Sequence, residues 1–89
     1  MRLTEIVPEF VDEIPEVLEH GKIYVSEKFR TASHLCPCGC QMKVVTPFGK
    51  FGWILSRGEG KVTLAPSIGN WQYACRSHYW ITFNQIVWC

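Results

Sequence analysis

The chain has 89 residues, of which 47% are hydrophobic and 19% are charged. A chain of this length forms one domain that buries only about 60–65% of its unfolded surface, so a metal or disulfides would add needed stability. Its hydrophobic content excludes a disordered chain. The net charge of +1 combines −5 over residues 1–20 (six acids, one arginine) with +6 over residues 21–89 (eight bases, two acids). Because the basic residues are scattered singly, we expect no nucleic-acid partner.

The N-terminal stretch PEFVDEIPEVLEH, residues 8–20, carries apolar residues at helical spacing. Proline is tolerated only in the first turn of a helix, so we predict a short helix from about Pro15 to His20 that ends at Gly21. We therefore divide the chain into an acidic N-terminal segment with a short helix, residues 1–20, and a zinc-binding β domain, residues 21–89.

After residue 21, short apolar stretches alternate with turn residues, which is typical of β-strands. We predict extended segments at residues 22–27, 29–35, 42–47, 51–56, 61–65, 78–83 and 86–89, and a loop over PSIGNW, residues 66–71. The predicted fold is a small β-rich (α+β) single domain. It consists of a zinc-stabilised antiparallel sheet of six or seven strands together with the N-terminal helix.

The sequence has neither an apolar signal-peptide core nor an apolar run long enough to span a membrane. We therefore expect a cytoplasmic protein with no membrane partner. Disulfides are disfavoured in that compartment, and five cysteines are an odd number. Metal ligation explains clustered thiols better than a disulfide framework does.

The stretch HLCPCGC, residues 34–40, places a histidine and three cysteines at every second position. Zinc takes four ligands in a tetrahedron, and structural zinc contributes on the order of 10 kcal/mol of folding free energy. Six candidate ligands compete for four places: His34, Cys36, Cys38, Cys40, Cys75 and His78. We favour Cys36, Cys38, Cys40 and Cys75, and a set of three cysteines with His34 remains open.

A serine hydrolase needs a nucleophile, a base within hydrogen-bond reach and donors for the oxyanion. Ser67 lies in the predicted loop, and His78 is available as its base if the cysteines hold the metal. Gly69 and Asn70 would lie near the oxyanion. Ser77 is a second candidate nucleophile, but in a strand it would point to the face opposite His78.

Three other classes of function are compatible with a zinc-binding β domain, and each requires further features. A catalytic zinc with an open position would need a nearby carboxylate base, and after residue 20 the only acids are Glu27 and Glu59. A non-catalytic adaptor would use exposed aromatic anchors such as Trp71, Tyr73 or Trp88. A zinc ribbon that binds nucleic acid needs a stripe of basic residues, which this sequence lacks.

The motifs together resemble a small bacterial domain family of unassigned function. The resemblance rests on KIYVS (22–26), HLCPCGC (34–40), VTLAPSIGNW (62–71), CRSHYWI (75–81) and VWC (87–89). Members of that family are encoded beside bacterial ubiquitin-like proteins and their activating and conjugating enzymes.

The resemblance implies a role in a ubiquitin-like modification pathway, as a peptidase that processes or deconjugates the ubiquitin-like protein. That protein and its activating and conjugating enzymes are the implied partners. A zinc-binding adaptor for the same proteins is the alternative. Gln41 stands where the family pattern would have a second glycine after CPCGC.

Overall fold

A computed structural model describes residues 2–89, which form a small domain of eight β-strands. The strands are β1 Val7–Phe10, β2 Lys22–Ser26, β3 Thr31–Leu35, β4 Lys43–Pro47, β5 Ile54–Gly58, β6 Lys61–Gly69, β7 His78–Thr82 and β8 Gln85–Trp88. They form two four-stranded sheets with the orders β1-β2-β3-β4 and β5-β6-β7-β8. The predicted β-rich single domain is confirmed, with one strand more than the upper prediction.

Nearly all neighbouring strands are antiparallel. The exception is β1, which runs parallel to β2. In the second sheet, β5 and β6 are joined by a tight turn in which Glu59 and Gly60 have φ values of 54° and 74°. Two consecutive positive φ values are typical of the two-residue hairpin turn that matches the twist of the strands.

The two sheets share one hydrophobic core. Its buried members include Ile23, Val25 and Ala32 of the first sheet and Leu64, Tyr79, Ile81 and Ile86 of the second. Along β7 the burial alternates, because Tyr79 and Ile81 are buried whereas Trp80 is 40% exposed. Successive strand side chains point to opposite faces, so the His78 side chain lies on the outer face of the second sheet.

The predicted helix from Pro15 to His20 is wrong: residues 2–89 contain no helix, and this segment forms bends and turns between β1 and β2. Six residues close too few intrahelical hydrogen bonds to offset the cost of helix nucleation. Tertiary contacts decide instead, since the Glu19 N–H donates to Tyr24 Oη at 3.1 Å. Leu18 is buried, whereas Val17 is 85% exposed.

Residues 4–10 are built into the β domain. The Ile86 N–H donates to the Thr4 carbonyl at 2.8 Å, and the Ile6 N–H donates to the Asn84 carbonyl at 2.8 Å. The chain then continues into β1 in the other sheet. This part of the acidic segment therefore connects the two sheets. Within residues 2–89, no helix is present that could serve as a membrane span.

Candidate functional site

The predicted loop at residues 66–71 is partly strand, because β6 continues to Gly69. Its register with β7 shifts between the pairs Leu64–Ile81 and Ile68–Tyr79, so four steps on β6 match two on β7. Pro66 lies in this irregular stretch. Proline has no N–H to donate, and within sheets it is confined to edges and bulges.

The bulge brings the two predicted catalytic side chains together. Ser67 Oγ lies 2.8 Å from His78 Nε2. Gly69 pairs directly with His78, and Ser67, two residues before Gly69, is the diagonal neighbour on the same face. Both side chains are half-buried, so they remain accessible to a ligand. A serine hydroxyl at this distance can donate its proton to the imidazole nitrogen.

The exposed side chain of Trp71 packs against the His78 ring of this pair. The ring centroids of Trp71 and His78 are 5.1 Å apart, and the ring planes are tilted by 58°. The indole also rests on Gly69, where an added Cβ atom would lie 2.5 Å from Trp71 Nε1.

The four cysteines of the predicted metal site form a second cluster. The sulfur atoms of Cys36, Cys38, Cys40 and Cys75 all lie within 4.8 Å of one another. Three of them come from the turn after β3 and one from the loop before β7, so the cluster joins the two sheets.

The spacing of the sulfurs suits a metal ion. Cys36 Sγ lies 3.4 Å from Cys38 Sγ and 3.8 Å from Cys75 Sγ, and Cys40 Sγ lies 3.6 Å from Cys75 Sγ. A tetrahedron of thiolates about 2.3 Å from a central zinc has sulfurs about 3.8 Å apart. The cluster could therefore hold one metal ion with little rearrangement.

The Ser77 hydroxyl contacts two of the sulfurs of this cluster. Its hydroxyl oxygen is 2.9 Å from Cys75 Sγ and 3.1 Å from Cys36 Sγ. The hydrogen bond from Ser77 lowers the pKa of the Cys75 thiol to about 6, whereas burial raises the pKa of the Cys36 thiol to about 12. Ser77 therefore favours the thiolate that a metal requires. It lies just before β7 rather than in a strand.

His34, one of the two histidines among the six candidate ligands, bonds to Tyr79. His34 Nε2 lies 2.7 Å from Tyr79 Oη, and both residues are fully buried. Asn70 Nδ2 donates to the same Tyr79 oxygen at 3.3 Å and to Cys36 Sγ at 3.7 Å. The Asn70 amide thus points into the core, and the expectation that this side chain would lie near an oxyanion at Ser67 is not supported.

Sequence reasoning anticipated the Ser67–His78 contact and the gathering of the cysteines, but it missed two contacts. The first is the contact of the Ser77 hydroxyl with Cys75, which lies in the irregular loop before β7, where strand alternation gives no signal. The second is the contact of Trp71 with Gly69. It depends on the path of the turn after β6, which the sequence does not predict.

Comparison with known proteins identifies one family. Residues 10–89 match the family model described as "bacterial ubiquitination-like system serine protease (BubE)", which confirms the resemblance found in the motifs. No significant match is found among curated proteins or among solved structures. Since the match covers most of the chain, the protein belongs to the BubE family of bacterial ubiquitination-like systems.

Proposed function

We propose that the protein is a serine peptidase that cleaves an amide or ester bond at the C-terminal carbonyl of the bacterial ubiquitin-like protein. Ser67 is the nucleophile and His78 is the general base. The observation that carries the proposal is the 2.8 Å contact between Ser67 Oγ and His78 Nε2 on an accessible sheet face. The description of the family as a serine protease supports the same reaction class.

The reaction follows from that contact. Ser67 Oγ forms a bond to the carbonyl carbon while its proton passes to His78 Nε2. The tetrahedral intermediate then expels the leaving amine or alcohol, which takes the proton from His78. Water, deprotonated by the same nitrogen, next attacks the acyl-enzyme and releases the free carboxylate together with the Ser67 hydroxyl.

The cysteine cluster is proposed to hold one zinc ion as a scaffold. Thiolates from Cys36, Cys38, Cys40 and Cys75 would complete a tetrahedron, which leaves no position for an activated water. The bond of His34 Nε2 to Tyr79 Oη favours this set over one containing His34. Zinc bound here would hold the loop before β7 against the turn after β3, and thereby fix the start of the strand that carries His78.

The proposed partners are the ubiquitin-like protein and the activating and conjugating enzymes of the same system. Their modified products would be the substrates. We further propose a cytoplasmic location, since a reducing compartment keeps a cluster of thiols available for zinc.

The test is cleavage of a ubiquitin-like protein fused at its C-terminus to a reporter. Ser67→Ala and His78→Gln should lower kcat/KM by about 10³-fold or more while the metal content stays at one zinc per chain. Ser56→Ala, at an exposed serine of β5, is the matched control and should keep full activity. Cleavage that survives Ser67→Ala would contradict the proposal. Capture of the ubiquitin-like protein with no cleavage by any variant would identify an adaptor instead.

A further inference from the structure

His78 is held in an unusual way for a catalytic base. In a serine–histidine–aspartate triad, a carboxylate bonds to the second ring nitrogen and fixes the orientation of the imidazole. Within residues 2–89, the ring of His78 has a side-chain hydrogen bond to Ser67, and no Asp or Glu side chain bonds to it. Something else must restrict rotation of the imidazole if the pair is to react.

The structure offers one candidate for this task. The Trp71 indole packs against the imidazole with ring centroids 5.1 Å apart, a separation at which aromatic rings attract each other. Trp71 is 56% exposed, so the core does not determine its position. Its contacts with Gly69 and His78 do.

Gly69 gives independent support. The φ of Gly69 lies outside the left-handed region, so the backbone at this position does not require glycine. What requires it is space, because a Cβ atom would lie 2.5 Å from Trp71 Nε1 and 3.0 Å from Trp71 Cε2. Gly69 pairs with His78 across the strands. Because Gly69 has no side chain, the Trp71 indole has space to pack beside the His78 imidazole.

We propose that Trp71, seated on Gly69, is the positioning residue for His78 and replaces the carboxylate of a triad. This inference rests on the proposed function. It predicts that Trp71 acts on the reactivity of Ser67 itself, before any contact with the ubiquitin-like protein.

A small fluorophosphonate separates the reactivity of Ser67 from the binding of the ubiquitin-like protein. It reacts with an activated serine as Ser67 Oγ bonds to phosphorus, fluoride leaves and the hydroxyl proton passes to His78. Its rate measures the serine–histidine pair without the binding energy of a protein substrate. Trp71→Leu and Gly69→Ala should each lower this rate, and kcat for the fusion, by about ten- to a hundredfold, the scale expected for a misplaced catalytic group. Trp71→Phe, which keeps a ring face, should restore much of the rate.

A double variant tests whether Gly69 acts through the indole. In the Trp71→Leu background, Gly69→Ala should cause little further loss, because the ring that the methyl group displaces is already absent. Phe51→Leu removes a ring that is 95% exposed in the connection between β4 and β5, and it should change nothing.

The possible outcomes separate the two proposals. Wild-type protein that reacts no faster with the fluorophosphonate than Ser67→Ala does would overturn the proposed function. Wild-type reactivity that persists in Trp71→Leu, with only KM for the fusion increased, would overturn the positioning role and assign Trp71 to substrate contact. Equal losses from Gly69→Ala in both backgrounds would likewise contradict the inference.

Discussion

Two histidine–hydroxyl pairs lie on opposite faces of the second sheet, and neighbouring residues of β7 contribute to each. His78 bonds to Ser67 at 2.8 Å, and Tyr79 bonds to His34 at 2.7 Å. The first pair lies within one sheet, on its accessible face. The second joins the two sheets in the core, where both of its members are 0% exposed.

The two contacts differ in length by only 0.1 Å, yet their surroundings give them different chemistry. Burial lowers the pKa of His34 to about 4 and raises the pKa of Tyr79 well above its usual range. Both groups are therefore neutral at pH 7, and no substrate can reach them. The inner pair can only hold the sheets together, whereas the outer pair can meet a substrate.

The largest expected effect comes from removing the proposed zinc, because the cysteines proposed to hold it flank both pairs. Cys36 follows His34 by two residues, and Cys75 precedes His78 by three. Structural zinc supplies on the order of 10 kcal/mol, about as much as the whole stability of a small domain. Chelation or Cys75→Ser should therefore unfold the chain, as measured by circular dichroism and metal content. Cys89→Ser is the matched control and should change neither; a metal-free chain with an unchanged melting temperature would contradict the scaffold role.

Removing one hydroxyl from each pair should give opposite results. Ser67→Ala should abolish cleavage while the free energy of unfolding changes by less than about 0.5 kcal/mol, as for most substitutions outside the core. Tyr79→Phe leaves the buried His34 Nε2 without its partner and removes one of the two acceptors of Asn70 Nδ2. It should therefore cost about 1–3 kcal/mol while kcat/KM is unchanged. Urea unfolding and fusion cleavage measure the two effects. If Tyr79→Phe lowered kcat without loss of stability, the two pairs would not be independent.

A smaller effect is expected at Ser77, which supports the sulfurs of Cys36 and Cys75. Ser77→Ala removes a donor to the metal-binding thiolates, so zinc affinity should fall about 10–100-fold. Competition with a chromophoric chelator measures this affinity. Ser67→Ala, which removes the serine of the outer pair, should leave it unchanged. Equal affinities for Ser77→Ala and wild-type protein would show that the hydroxyl does not stabilise the bound metal.

Local patterns predicted most strands, the cysteine cluster and the Ser67–His78 contact. The alternation of apolar residues indicates which side chains face the core, and clustered thiols in a small chain indicate a metal. The roles of the individual cysteines and of Ser67 and His78 remain predictions until the experiments above test them.

The two failures came where contacts with a neighbouring strand override the local preference of a segment. Pro66 indicates the end of a strand, yet pairing with β7 carries β6 through a bulge to Gly69. The spacing at residues 15–20 indicates a helix, but burial of Leu18 and the bond from Glu19 to Tyr24 hold this segment in bends and turns. The apolar spacing within one segment does not reveal its hydrogen bonds to another element, such as Tyr24 in β2 or the residues of β7.

The smallest effect concerns the turn that carries three of the cysteines. Gln41 adopts a φ of 68°, in the left-handed region that favours glycine, at the position where the family resemblance predicted one. A side chain in this conformation costs about 1 kcal/mol, so Gln41→Gly should stabilise the zinc-loaded protein by up to that amount. Gln41→Ala keeps the strain and should give no gain. Urea unfolding measures the free energy of unfolding of both variants. If glycine were no more stabilising than alanine, Gln41 would not strain the turn. The geometry of the cysteine cluster would then depend on the sulfurs alone.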